Sequence, residues 1–177
     1  MNLEQLIYLC KKEDRSSQKT LYGEYITMLY KLSLRYVGNV LDAEDCTAEA
    51  FFKIFEKIKI FEFHEKNSFE VWLKQIVINQ SLMCLRKRKT MQYEELSEYG
   101  VFEDVNYEKI DADLILEKVM SLPDGYRTIF NMYVIEGYTH LEISEMLNIS
   151  QNTSKTQLHK AKLKLQKMLG PEFKILV

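Results

Sequence analysis

Apolar residues recur along the chain at intervals of three and four positions, which is the spacing of one face of an α-helix. This pattern predicts a first long helix over residues 16–37, with an apolar face of Leu21, Tyr25, Met28, Leu29 and Leu32. Gly38 and Asn39 follow it, and glycine readily takes the left-handed conformation that ends a helix. No segment shows a convincing strand pattern, and 177 residues include only two prolines and six glycines. The predicted fold class is therefore all-α.

Two further long helices are predicted in the first half. Asp42 is expected to cap a helix that ends near Phe61, with an inward face of Cys46, Ala50, Ile54 and Ile58. Glu44 and Asp45 lie in its first turn, where the helix dipole favours acidic residues. Ser68 is expected to cap the next helix, which contains Trp72, Leu73, Ile76 and Met83 and ends in the basic run Arg86, Lys87, Arg88 and Lys89. These three helices form a predicted first domain, residues 1–89.

Helical periodicity is weak over residues 90–111, which we interpret as a connector. Residues 90–117 contain nine acidic residues and one lysine. The helical pattern resumes over residues 112–121, breaks at Pro123 and ends at Gly137, with apolar spacing at Tyr126, Ile129, Phe130, Tyr133 and Val134. Residues 112–177 are thus a predicted second domain.

A helix-turn-helix is the strongest local signal in that second domain, over the sequence GYTHLEISEMLNISQNTSKTQLHKAKLKL. Thr139 and Glu142 have the spacing of a capping box, which opens a short helix with Ile143, Met146 and Leu147 facing inward. Asn148 occupies the turn, where asparagine tolerates a left-handed conformation better than most residues. Ser150 is expected to cap a second helix with a buried face of Leu158, Ala161, Leu165 and Met168.

The outward face of that second helix is a candidate DNA contact. Residues 151–169 contain five lysines, one histidine and no acidic residue. Lysines and a helix N-terminus neutralise phosphates, and lysine also reaches guanine acceptors in the major groove. A solvated lysine face is the alternative, although solubility alone normally places both signs of charge along an exposed helix. The candidate residues are Gln151, Asn152, Ser154, Lys155, Thr156, His159 and Lys160.

Composition excludes several other classes of protein. No apolar run has the eighteen or so residues that a membrane span needs, so no membrane insertion is expected. The first residues do not form a secretory signal, which predicts a cytoplasmic protein. Cys10, Cys46 and Cys84 are widely separated, which favours core thiols over a disulfide framework or a zinc site. We expect no cofactor and no metal.

With these motifs in this order, the chain resembles the extracytoplasmic-function (ECF) group of bacterial RNA polymerase sigma factors, within the sigma-70 family. DAEDCTAEAFFKIFEKI is similar to the family's polymerase-docking helix, and SFEVWLKQIVINQSLMCLRKRK to the helix that reads the promoter element near minus ten. Residues 122–169 resemble the family's domain for the element near minus thirty-five. The resemblance implies an alternative sigma factor that binds core RNA polymerase and promoter DNA and directs transcription initiation.

The resemblance also implies site residues. The polymerase-binding set is Asp42, Glu44, Asp45, Glu49, Phe52 and Lys53. The minus-ten set is Phe61, Phe63, Lys66, Asn79, Arg86, Lys87 and Arg88, with His64 as a further member of the loop over residues 61–68 that aligns with the strand-opening region. The lysine-rich helix carries the minus-thirty-five contacts listed above. Where the family commonly has an aspartate, four residues after Asn79, this chain has Met83.

Several alternatives stay open at this point. Glu44 and Asp45 are also explained as acids that favour a helix start, and Phe52 is either a second-side core residue or an exposed anchor for a partner. Trp72 is interpreted as core rather than as a stacking platform, and two of the loop aromatics are possible core residues as well.

Two other function classes compete with the sigma factor. A two-domain transcription regulator shares the helix-turn-helix but needs no second basic site at residues 86–89. An enzyme that uses Glu44, Asp45, Glu49 and Glu56 is disfavoured, because the three histidines lie far apart and no nucleophile motif is present. We therefore expect a specificity subunit without catalytic activity. Two unlike DNA sites suit an asymmetric promoter, so no homo-oligomer is expected. The resemblance to the family also implies an anti-sigma factor as a partner.

Overall fold

The structure is a computed structural model that describes residues 1–91 and 112–170, apart from the side chains of residues 89–91 and 112–113. The predicted connector, residues 90–111, falls almost entirely outside the described residues. The chain divides into two compact units, Met1–Met91 and Gln92–Val177. In the described residues of both units the regular structure is helical, and no strand is present there. The all-α prediction is confirmed.

The first unit contains four helices rather than the predicted three. They are α1 (Leu3–Lys11), α2 (Arg15–Val37), α3 (Val40–Lys57) and α4 (Lys66–Met91), with a short 3-10 turn (Ile58–Ile60) after α3. Helix α1, which is only nine residues long, was not predicted from the sequence pattern. A helix of that length is marginal by itself in water, so α1 depends on burying Leu6, Ile7 and Cys10.

The core of the first unit lies between α2, α3 and α4, each of which packs on the other two. The predicted inward face of α3 is confirmed, because Cys46, Ala50, Ile54 and Ile58 are all buried. A buried hydrogen bond joins the hydroxyls of Ser33 on α2 and Ser81 on α4, with their oxygens 3.2 Å apart. It satisfies two polar groups that would otherwise destabilise an apolar core.

Two predicted helix starts were wrong by a few residues. Asn39, not Asp42, caps α3, and its side-chain oxygen accepts a hydrogen bond from the Asp42 backbone N–H at 2.9 Å. Asp42 instead lies in the first turn and accepts from the Asn39 amide at 2.8 Å. Helix α4 begins at Lys66, two residues before Ser68. Ser68 donates its hydroxyl to the Glu65 carbonyl at 2.8 Å rather than capping a helix that starts after it.

The second unit contains α5 (Ala112–Met120), α6 (Asp124–Phe130), α7 (His140–Leu147) and α8 (Gln151–Leu169). A π-helical turn (Asn131–Ile135), which sequence analysis did not predict, extends α6. Arg127 is buried and holds the α5–α6 corner together. Its guanidinium donates to the carbonyls of Met120 (3.0 Å) and Leu122 (2.7 Å) and pairs with Asp124 (2.6 Å).

The helix-turn-helix prediction is confirmed in its local detail. Thr139 and Glu142 form the complete capping box of α7, and Asn148 has a left-handed backbone with φ of 54°. Ser150 caps α8 by accepting a hydrogen bond from the Thr153 backbone N–H at 3.0 Å. Leu158, Ala161 and Leu165 are buried as predicted and Leu169 joins them, whereas Met168, which was predicted on the same face, is only half-buried.

Candidate polymerase and nucleic-acid interfaces

Helix α3 presents an exposed face on the side opposite its buried one. Leu41, Asp45, Ala48 and Phe52 follow each other at spacings of four, three and four residues, which places them on one side of a helix. Phe52 is 77% exposed and Leu41 is 75% exposed. The alternative that Phe52 belongs to the core is therefore excluded. Leu41 was not among the predicted site residues, although its helical spacing from Asp45 and Phe52 pointed to the same face.

Three residues of the predicted polymerase-binding set are bonded to α4. Lys53 donates to the side-chain oxygen of Gln80, and the Gln80 amide donates to Glu49. Gln80 is buried, so its amide holds Glu49 and Lys53 in a fixed arrangement on α3. The third residue, Asp42, pairs with Arg88, with 3.1 Å between carboxylate oxygen and guanidinium nitrogen. Gln80 was not among the residues predicted from the sequence.

Helix α4 presents a polar face to solvent. Gln75, Asn79, Met83 and Arg86 are exposed and follow each other at helical spacing, and Lys87 is exposed beside them. Gln75 is a further candidate that sequence analysis missed, although it precedes Asn79 by one helical turn. Arg88 is half-buried and is held by Asp42 and by the Val37 carbonyl at 3.4 Å. Met83 places its sulfur 3.7 Å from the Lys53 ammonium.

The loop between the 3-10 turn and α4 contains both buried and exposed side chains. Phe61 is half-buried, and its ring centroid lies 4.5 Å from that of Trp72 and 5.4 Å from that of Phe69. Trp72 is itself half-buried, so part of its side chain packs in this aromatic cluster and part is accessible to solvent. Phe63 is half-buried, whereas Glu62, His64 and Lys66 are exposed. Lys66 also lies 3.6 Å from the Glu70 carboxylate.

In the second unit, six of the seven predicted minus-thirty-five residues are exposed along α8: Gln151, Asn152, Lys155, Thr156, His159 and Lys160. The exception is Ser154, which is fully buried. Its hydroxyl lies 2.9 Å from Nδ1 of His140, a residue on the neighbouring helix that sequence analysis did not assign to the interface. We therefore treat Ser154 as a support for His140 rather than as a DNA contact.

His140 lies at the start of α7, where the N-terminal ends of α7 and α8 border a groove. Its ring stacks on Tyr133 at 4.3 Å between centroids. Partial burial, together with the positive charges of Lys155 and Lys162, lowers the pKa of His140. The lowered pKa favours the neutral imidazole. Thr139, Gln151 and Lys155 also line the groove.

The electrostatics of this end of the unit favour an anion. Lys155 supplies a positive charge, and the N-termini of helices carry partial positive charge from unpaired N–H groups. Hydrogen bonds from Thr139 lower the pKa of Glu142, so this carboxylate stays ionised and remains in the capping box. The arrangement suits a polyanion that runs past the start of α8.

The described residues contain no cluster of histidine, cysteine or carboxylate side chains that could hold a metal ion. None of the helices in residues 1–91 and 112–170 combines the length and apolar character that a membrane span requires.

Two sequence families match the chain: Sigma-70 region 2 over residues 21–90, and Sigma-70, region 4 over residues 112–165. The chain is 31% identical to the ECF RNA polymerase sigma factor SigW of Bacillus subtilis (strain 168), an alignment that covers 96% of this chain and 97% of that protein. The matches and the two helical units define a sigma factor of the sigma-70 type. The chain belongs to the ECF group of that family. It is an alternative sigma factor, which directs promoter recognition and transcription initiation with RNA polymerase.

Two solved structures share the fold. The sigma factor RpoE of Bartonella quintana, in complex with the anti-sigma factor NepR, is 19% identical with a TM-score of 0.54, covering 85% of this chain and 95% of that one. CnrH, in complex with the cytosolic domain of CnrY, is 16% identical with a TM-score of 0.51, covering 93% of this chain and 94% of that one.

Proposed function

We propose that the first unit docks core RNA polymerase through the exposed face of α3. The observation that carries this proposal is Phe52, a large apolar side chain left 77% exposed beside Asp45 on a helix whose opposite side is core. Large exposed aromatic residues surrounded by polar ones are the usual anchors of protein interfaces. The face contributed by Leu41, Glu44, Asp45 and Phe52 fits a partner surface that is apolar at its centre and basic around it.

The same unit reads and opens the promoter near minus ten. Asn79, Arg86 and Lys87 supply hydrogen bonds and positive charge along the exposed face of α4. The neighbouring loop offers Phe63 and His64 to an unstacked base. Opening a duplex costs stacking energy, and contacts to the flipped base and to the backbone offset that cost. Phe61 contributes through packing on Trp72.

The second unit anchors the upstream promoter element near minus thirty-five. Helix α8 lies in the major groove in this proposal, with Lys155, Thr156, His159 and Lys160 toward the DNA. Gln151 and Asn152 sit at its N-terminus, next to the groove bordered by His140. Residues 1–89 and 112–177 act as the two functional domains, and residues 90–111 connect them as an acidic linker that does not bind nucleic acid.

An anti-sigma factor is a further proposed partner, because the fold is shared with a sigma factor that was solved with one. We also propose that the chain acts as a single copy within a holoenzyme, because its two DNA-binding faces are unlike each other and suit an asymmetric site. Catalysis of RNA synthesis belongs to the polymerase in this proposal. The protein works in the cytoplasm, where the polymerase meets the chromosome.

The test is co-purification of the chain with core RNA polymerase from its host, followed by run-off transcription on genomic fragments. We expect stoichiometric association and new start sites, from which both promoter elements are recovered. A chain that binds duplex DNA tightly and ignores the polymerase would instead be a conventional regulator. The α3 face would then be a dimer or domain interface.

A further inference from the structure

Helix α1 is bonded to the segment that leads into the proposed strand-opening loop. The Lys11 ammonium, in the last turn of α1, donates to the carbonyl oxygen of Phe61 at 2.5 Å. Phe61 is the first residue after the 3-10 turn. On the same turn, Lys59 pairs with Glu13, which follows α1. Two polar contacts therefore tie the N-terminal helix to a segment about fifty positions further along the chain.

The far end of the loop is fixed separately. Ser68 donates to the Glu65 carbonyl, and the Glu65 backbone N–H donates back to the Ser68 hydroxyl at 3.3 Å. At the near end, the Phe61 ring also packs against Trp72 and Phe69 of α4. Residues 62–64 are left between two anchored ends, with Glu62 and His64 exposed and Phe63 half-buried.

The Lys11 contact is suited to hold the loop rather than the core. Leu6, Ile7 and Cys10 on the inner face of α1 are already buried, so the helix does not need Lys11 in order to pack. A charged donor on a part-buried carbonyl makes a stronger hydrogen bond than a neutral one. Fixing the carbonyl of Phe61 limits the conformations of the next residues, and a loop ordered in advance loses less entropy when it receives a base.

We propose that α1 belongs to the promoter-opening machinery, with Lys11 as a positioning residue that holds the strand-opening loop and Glu13 as its support through Lys59. This proposal rests on the proposed role of the loop. It assigns a function to a helix that lies outside the matched region 2 segment, which begins at residue 21. Lys11 acts through the Phe61 backbone and makes no contact with DNA.

The test uses holoenzyme assembled from the full chain and core polymerase, on a promoter fragment recovered by run-off transcription. Permanganate reactivity of unstacked thymines measures the open complex. Lys11→Met should lower the equilibrium constant for opening by about tenfold, roughly the entropic cost of ordering one further backbone residue when the loop receives a base. Lys11→Arg should retain most of the opening. Lys12→Met, which removes an exposed neighbouring charge, is the matched control and should open the promoter normally.

A template with a mismatched bubble at the minus-ten element separates strand opening from other roles. On this template Lys11→Met should transcribe like the unchanged protein, because the strands are already apart. Equal loss on both templates, or an altered salt dependence of closed-complex binding, would mean that Lys11 contacts DNA or polymerase directly and would overturn the proposal. So would normal opening by Lys11→Met on the duplex template.

Loop variants distinguish failure of this inference from failure of the proposed function. If Phe63→Ala and His64→Ala lower opening while Lys11→Met does not, the loop opens DNA but Lys11 does not position it. If neither loop variant affects opening, the role of the loop itself is wrong.

A charge exchange provides a second test if Lys11→Met folds poorly. Glu13→Lys and Lys59→Glu should each reduce opening by about twofold through like-charge repulsion, and the double variant should restore it. Absence of this restoration, with all three variants folded, would remove the support assigned to Glu13.

Discussion

Arg88 at the end of α4 and Asp42 at the start of α3 form an ion pair, with 3.1 Å between Nη2 and Oδ2. The resemblance to the family had implied a DNA contact for Arg88 and a polymerase contact for Asp42. Their pairing ties together the helix that carries the proposed docking face and the helix that carries the proposed minus-ten face. Both groups are about one-third exposed, so solvent weakens the attraction only in part.

The Arg88–Asp42 pair should contribute to stability as a unit. We expect Arg88→Ala and Asp42→Ala each to lower the free energy of unfolding by roughly 0.5 to 1 kcal/mol, and the double variant to lower it by less than the sum. Urea denaturation of the four proteins measures this. Strict additivity would show that the two side chains do not interact in solution.

Phe52 should matter for polymerase binding and very little for folding. Phe52→Ala is expected to weaken association with core polymerase by about 2 kcal/mol, the loss typical of an interface anchor. The urea midpoint should not change, because the side chain is already exposed. Val71→Ala removes another exposed apolar side chain of the first unit and serves as control. Equal effects of the two variants on association would place the docking face elsewhere.

The α8 lysines should determine upstream DNA binding. Lys155→Ala and Lys160→Ala should each flatten the salt dependence of DNA binding by about one unit per lost phosphate contact, with polymerase association unchanged. Lys167→Ala, near the C-terminal end of the same helix, is the charge-matched control. If all three lysines altered the salt dependence alike, binding would reflect net charge rather than the proposed face.

His140 should make the second unit sensitive to acid. Its folded-state pKa is lowered, so the unfolded chain binds a proton first as the pH falls. The free energy of unfolding should therefore be highest above the unfolded-state pKa of this histidine, near 6.5. It should decline as the pH falls through that value and level off below the folded-state pKa. Urea denaturation of the chain between about pH 8 and pH 5, which spans the usual titration range of histidine, measures the slope of the free energy of unfolding against pH. His140→Gln should reduce this slope.

The cysteines should differ in reactivity. Burial and the nearby Asp14 raise the pKa of Cys10 to about 11. Burial, followed by interaction with Cys84, raises the pKa of Cys46 as well. Only thiolates alkylate rapidly, and Cys84 is the least buried of the three. Iodoacetamide followed by peptide mass analysis of the native protein should show modification at Cys84 first. Early labelling of Cys46 would indicate that α3 and α4 separate readily.

Local signals account for what was predicted well. The capping box at Thr139 and Glu142, the left-handed Asn148 and the left-handed stop at Gly38 were each read from a few adjacent residues. Each is completed by hydrogen bonds within about one helical turn, so a short window of sequence contains both partners. The start of α3 was wrong because Asn39 and Asp42 are both good cap residues, and the pattern alone did not rank them.

The sequence by itself determined the helical class, the helix-turn-helix, most of the buried positions of the long helices and the basic character of α8, because these depend on periodicity and charge along one element. Only the tertiary structure decided that Phe52 is exposed, that Ser154 is buried beneath His140, and that Lys11 holds the Phe61 carbonyl. The last two join residues 14 and 50 positions apart. Such contacts depend on which faces meet when the helices pack, and the pattern of a single helix does not specify the helix that will cover it.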